Sequence, residues 1–154
     1  MKKLLVPVIM FVSLFAAGNA WAHCEVPCGI YDDDARFDEL AEHITTMEKA
    51  MKSIVELGRQ SPTNYNQIVR WVTTKDDHAD KFQYIVYQYF MTQKIKPVDS
   101  SDKKAYAAYL KKIELAHHLL VYAMKAKQGT DLEVIKTLRS KLEAFKKAYD
   151  QHEH

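Results

Sequence analysis

Apolar residues recur along most of this chain in steps of three and four, and few breakers interrupt them. Phe37, Leu40, Ile44, Met47, Met51 and Ile54 form one such stripe. That spacing keeps side chains on one face of an α-helix and marks the seam of a helical bundle. It predicts a first helix from about 34 to 59. Asp32, Asp33 and Asp34 precede it, where negative charge suits the amino end of a helix. Gly58 and the Ser61-Pro62 pair close it. Residues 63 to 72 read as a short helix or helical turn. Thr74, ahead of Lys75-Asp76-Asp77, reads as the N-cap of a second long helix that continues to about Gln93 and buries Phe82, Ile85, Val86, Tyr89 and Phe90.

A loop follows over Lys96-Pro97-Val98-Asp99-Ser100. The third helix is expected from about 102 to 127, with Tyr106, Leu110, Ile113, Ala116, Leu120 and Met124 inward, and Gly129 ends it. Thr130-Asp131-Leu132-Glu133 has the form of a capping box. The fourth helix then uses Ile135, Leu138, Leu142, Phe145 and Tyr149. Four amphipathic helices on short loops predict an all-α, antiparallel four-helix bundle over residues 34–154. Only four Gly and four Pro occur in the chain, which fits that reading. No internal repeat or low-complexity segment appears.

The amino end departs from this pattern. Lys2 and Lys3 are followed by an apolar run from Leu4 to Gly18, too short for a membrane span. Asn19-Ala20-Trp21-Ala22 places small residues at the positions a signal peptidase requires. Residues 1–22 therefore read as a cleaved signal peptide, with export to the periplasm and no stable membrane association afterwards. His23 in place of a small residue before Cys24 argues against a lipoprotein. The Lys2-Lys3 pair lacks a twin-arginine signal, which favours export of the unfolded chain.

Removing 22 of the 154 residues leaves 132, enough for one domain with a real core. Charge changes too. The whole chain carries 22 Lys and Arg against 20 Asp and Glu, and the two excess lysines lie in the leader. The mature chain is nominally neutral, so composition gives no support to nucleic-acid binding.

Candidate chemistry is concentrated directly after the expected cleavage. His23-Cys24-Glu25-Val26-Pro27-Cys28-Gly29-Ile30-Tyr31 contains both cysteines of the protein. Two cysteines in an exported chain leave a disulfide and metal ligation both open. A bridge four residues apart would close only a tiny loop and add little stability. Cleavage after Ala22 would add a free amine beside the His23 imidazole and the two thiols, and this favours metal. An α-amine with a pKa near ~8 gives up its proton readily. Pro27 and Gly29 favour a reversal that returns Cys28 to the same ion. Three side chains, two of them consecutive, fall short of a closed zinc site. An amine and an intervening amide favour a flat arrangement, which points to Ni(II) or Cu(II). Thiolates reduce Cu(II), which leaves nickel as the better physical choice.

The segment His-Cys-x-x-Pro-Cys-Gly-x-Tyr, His23 to Tyr31, resembles the nickel hook of nickel-dependent superoxide dismutases, and every fixed position of that pattern is present. The resemblance implies an oxidoreductase on a four-helix bundle, with residues 23–33 as the metal-binding hook. It implies one nickel per subunit, held in plane by the His23 amine, the Cys24 amide nitrogen and the Cys24 and Cys28 thiolates, with the His23 imidazole axial. It further implies Ni(II)/Ni(III) cycling with superoxide as substrate, a homohexamer, and Tyr31 beside the metal, ordering approaching molecules without binding it. A cis Val26-Pro27 bond also belongs to that pattern. In the family a carboxylate on the first helix and an arginine from a neighbouring subunit orient the imidazole. Asp38 or Glu39, and Arg70, are the candidates here; each also reads as an ordinary solvated or interhelical charge.

An alternative use of the same hook is a periplasmic nickel or copper carrier without turnover, and a third is a structural bundle with a Cys24–Cys28 disulfide. His43, His78, His117 and His118 share no metal spacing and read as surface or boundary residues. His152 and His154 lie at the carboxy end. Tyr84, Tyr87, Tyr89, Tyr106 and Tyr109 read as core and subunit contacts. Without a Cys-x-x-Cys-His sequence, covalent haem attachment is disfavoured.

Overall fold

The computed structural model describes residues 33–150. Four α-helices carry this span: α1 Asp34–Gly58, α2 Tyr65–Tyr84, α3 Lys103–Gln128 and α4 Leu132–Asp150. A π-helical segment, Ile85–Lys94, continues α2 without a break. Each helix packs on its neighbours in sequence, and α4 closes the ring on α1. This is the expected all-α bundle. Among the described residues no helix is long and apolar enough to cross a membrane.

The α1 stripe faces inward as its spacing requires. Phe37, Leu40, Ile44, Met47 and Met51 are buried, and Ile54 is half-buried at the fading end. On α4 Ile135, Leu138, Leu142, Phe145 and Tyr149 are all buried. Asp131, rather than Thr130, accepts the Glu133 N–H at 2.9 Å, so the α4 cap falls one residue later than the capping-box reading.

Two expectations need correction. Thr74 caps nothing. Its hydroxyl donates back to the Arg70 carbonyl at 2.9 Å inside a continuous α2, whose N-cap is Asn64, accepting from the Gln67 N–H at 3.2 Å. The charged run that suggested a helix start has another use. Lys75 is buried, and its Nζ donates to the carbonyls of Ala126 at 2.8 Å and Lys127 at 2.5 Å. Those are among the last carbonyls of α3, which have no partner within their own helix.

The inward face of α3 is also rotated from the expected one. Leu115, Ala116, Leu119, Ala123 and Ala126 are buried, whereas Leu110 and Met124 stay 47% and 43% exposed. Tyr106, Ile113 and Leu120 are half-buried. Ala116 lies inward as expected, and two further buried alanines, Ala123 and Ala126, account for the shift. They let α3 sit close to its neighbours, and a pattern built on large side chains gives them too little weight.

Four rings fill one end of the core. Phe37 of α1 lies 4.8 Å from Phe90 and 5.8 Å from Phe145, and Phe90 lies 5.2 Å from Phe145, centroid to centroid. Tyr149 joins them at 5.6 Å from Phe37 and 5.4 Å from Phe90. Tilted and edge-on packing of this kind adds to simple area burial. It joins the start of α1, the middle of the π-helical segment and the end of α4 in one cluster.

Candidate metal centre

The proposed nickel donors His23, Cys24 and Cys28, together with Tyr31 and the Val26–Pro27 bond, lie outside the described residues. The described residues begin with a side-chain cluster at the start of α1. Asp33 immediately precedes α1. Its carbonyl accepts the first helical N–H groups, from Arg36 at 3.0 Å and Phe37 at 3.3 Å. Its carboxylate turns away from the helix and gathers three donors from elsewhere. Tyr149 of α4 donates to Oδ2 at 2.5 Å, Tyr89 donates to Oδ1, and Lys94 Nζ stands 2.8 Å from Oδ1.

The π-helical segment makes that convergence possible. Tyr89 and Lys94 are five residues apart. In an α-helix, at about 100° per residue, they would point roughly 140° away from each other. A ladder of i→i+5 bonds instead brings residues five apart to the same side. The ladder is visible at the end of the segment, where the Ile95 N–H reaches the Phe90 carbonyl at 2.8 Å. The Thr92 hydroxyl likewise reaches the Tyr87 carbonyl at 2.8 Å.

The charges in this cluster reinforce one another. Burial alone would raise the Asp33 pKa, but hydrogen bonds from Lys94, Tyr149 and Tyr89 outweigh it and hold the carboxyl below its ordinary value. Burial opposes the Lys94 charge, yet Asp33 keeps its pKa above the usual lysine value. Burial and the neighbouring carboxylate push Tyr89 up, so it remains a neutral donor. Arg36 lies 5.3 Å over the Tyr89 ring and pairs with Glu39 at 2.6 Å. Asp34 pairs with Lys146.

The two carboxylate candidates on α1 are thereby distinguished. Glu39 is half-buried and engaged by Arg36, whereas Asp38 is exposed. Arg70 is exposed on α2. Among the described residues no group of three or more His, Cys, Asp or Glu could hold a metal ion.

A family model described as nickel-containing superoxide dismutase matches residues 18–153. The chain belongs to the nickel-containing superoxide dismutase family. No curated protein and no solved structure matches it. As a nickel superoxide dismutase it is an oxidoreductase with a nickel cofactor, and the match includes the whole of His23–Tyr31. The donor chemistry there fits nickel. One imidazole and two thiols, with backbone nitrogen available, form a mixed nitrogen and sulfur set.

Sequence reasoning about this nickel enzyme missed two features. It read Asp33 only as helix-terminal charge, and Tyr89 only as core. The available signal was weak: one tyrosine and one lysine five apart in an unbroken helical run. The surface or boundary position expected of both His43 and His78 holds for half-buried His78 and fails for His43. His43 is in fact buried on α1, and its Nδ1 lies 3.0 Å from Nδ1 of the half-buried His78 on α2. Burial first and the neighbouring His78 second depress the His43 pKa. Burial and Lys81 depress that of His78. His117 is exposed, and His152 and His154 lie outside the described residues. Tyr84 and Tyr87 are exposed and packed edge to face at 5.5 Å.

Proposed function

We propose that this nickel superoxide dismutase works at a mature amino terminus created by cleavage after Ala22. The His23 amine and imidazole, the Cys24 amide nitrogen and the Cys24 and Cys28 thiolates are the nickel donors, one ion per subunit. The observation that carries the reading is the family match over residues 18–153, which takes in a motif containing both cysteines of the chain. Nickel held there would supply a one-electron couple between Ni(II) and Ni(III), through which one superoxide would be oxidised to dioxygen and a second reduced, with two protons, to hydrogen peroxide. Thiolate and amide donors are electron-rich and favour the higher charge. The same thiolates are exposed to oxidation by the peroxide product. Tyr31 orders small molecules beside the metal without binding it. Cleavage, a periplasmic location and assembly as a homohexamer complete the proposal.

The test joins the mature amino-terminal residue to metal content and turnover. Protein purified after export should begin at His23 and contain one nickel per chain. Its dismutase activity should vanish in Cys24→Ser and in Cys28→Ser. One extra residue ahead of His23 should also abolish activity, because it removes the amine from the chelate. Nickel binding without dismutation would favour a carrier. A native mass two protons low, with no metal, would favour a disulfide and overturn the assignment of donors.

A further inference from the structure

We propose that the cleft between the end of the π-helical segment and the first turns of α3 binds a small phosphate monoester, its oxyanion held by Lys94, Lys96 and Lys112 and its organic group seated on Ile95 and Val98. The cleft has a volume of about 180 Å³. The three lysines line it, and no Asp or Glu does. That imbalance is local. The chain from Lys94 to Lys112 holds six lysines and two aspartates, in a protein with 22 Lys and Arg against 20 Asp and Glu overall. Both aspartates serve the backbone. Asp99 accepts the Ser101 N–H at 2.8 Å, and Asp102 caps α3 by accepting the Ala105 N–H at 3.0 Å.

Charge sets the head group. Asp33 pairs with Lys94 at 2.8 Å and cancels one of the three positive charges. Two remain, which match the charge of about −1.5 to −2 on a phosphate monoester near neutral pH. Lys96 is exposed and makes no ion pair among the described residues. Lys112 is half-buried, with its Nζ 5.3 Å over the Tyr149 ring. Like charges gathered around one cleft repel each other. A bound anion relieves that repulsion and accepts charge-assisted hydrogen bonds. The backbone form contributes too. The π-helical ladder ends at Ile95, which is extended and buried, and so sets Lys94 and Lys96 on either side of an apolar anchor. Shape sets the rest of the ligand. Ala105 and Ala108 stand about one turn apart on α3, and their short side chains leave the space that Ile95, Val98 and Tyr109 border. Apolar walls with a few placed charges are the usual form of a small-molecule site between helices. A cavity of about 150 Å³ admits benzene, so the organic group is limited to roughly a phenyl ring.

Calorimetric titration of the nickel-loaded protein with phenyl phosphate, at low ionic strength, tests the site. Saturable binding of one phenyl phosphate per chain is expected. Lys96→Met and Lys112→Met should each weaken it about tenfold, the value of one charge-assisted hydrogen bond. Ala105→Leu, which fills the cleft and keeps every charge, should weaken it as much. Lys103→Met is the control. Lys103 lies outside the cleft lining, its Nζ on the Ser100 carbonyl at 2.9 Å, and its loss should leave affinity within about twofold. Inorganic phosphate, without the ring, and benzoate, with a single charge, should both bind more weakly. The absence of binding at about 10 mM phenyl phosphate would overturn the proposal. Equal losses in Lys103→Met and Lys96→Met would overturn it too, because they mark diffuse attraction to a basic surface. Undiminished binding in Ala105→Leu would put the ligand elsewhere, and inorganic phosphate or benzoate binding as tightly would refute the ligand class. If Lys112→Met does not fold, Lys96→Met, at an exposed position, decides the matter.

Discussion

Acid should weaken this bundle through one buried contact, the His43–His78 pair. His43 Nε2 is buried and has no hydrogen-bond partner. An unpartnered buried N–H is harder to tolerate than an unpartnered lone pair, so the proton belongs on Nδ1, donating to His78 Nδ1 3.0 Å away. Both sites for a further proton are then unfavourable. Protonating His43 places a charge in the core, and protonating His78 at Nδ1 breaks the bond. Glu39 and Glu42 on α1 and Asp77 on α2 favour the charged rings, while Lys81 opposes them; the net direction for both rings is down.

The sign follows from linkage. Below the unfolded pKa of about 6.5 the unfolded chain binds protons that the folded chain refuses, so stability falls as pH falls. One histidine kept neutral in the fold loses up to about 2 kcal/mol between pH 7.5 and pH 5. His78, half-buried, adds less. Urea unfolding followed by helical circular dichroism, on wild type and His43→Leu at matched pH, isolates the effect, because the other titrating groups cancel in the difference. At pH 7.5 the variant should be less stable by about 1 kcal/mol, the value of the lost bond. The gap should close below pH 6.5 and reverse near pH 5. A difference that stays constant from pH 7.5 to pH 5 would refute the reasoning.

Two further outcomes are expected. Lys75→Met should destabilise the protein by about 2–3 kcal/mol, since two α3 carbonyls lose a buried charged donor, and should lower its melting temperature by roughly 10 °C. A change under about 0.5 kcal/mol in chemical unfolding would contradict that role. Asn64→Ala should cost about 1 kcal/mol as a lost N-cap, while Thr74→Ala should change stability by less than about 0.5 kcal/mol. The opposite order in paired denaturation curves would return the start of α2 to Thr74.

The helices of the bundle were legible wherever large apolar side chains set the period. The α1 and α4 stripes were read correctly because Phe, Leu, Ile and Met dominate them. The α3 face is less legible because Ala123 and Ala126, whose small size is what close packing uses, carry part of its buried surface. The break at Thr74 was misplaced because local cap chemistry and a long-range lysine contact share one sequence appearance. At the candidate site, the hook motif was legible because its donors lie within six residues. The Asp33 cluster was not, because its partners lie 56, 61 and 116 positions away.

The chain's own order of residues determined the class of protein: four amphipathic helices, an amino-terminal segment rich in soft donors, and the family that combination denotes. Those are local properties, written in spacing and side-chain type. Tertiary structure decided which charges are used and which are merely solvated. It placed Lys75 under the end of α3, His43 against His78, and Tyr89, Tyr149 and Lys94 on Asp33. Each of these depends on residues far apart in sequence meeting in a partly dry environment, where an unpaired polar group is costly and a paired one is held in place.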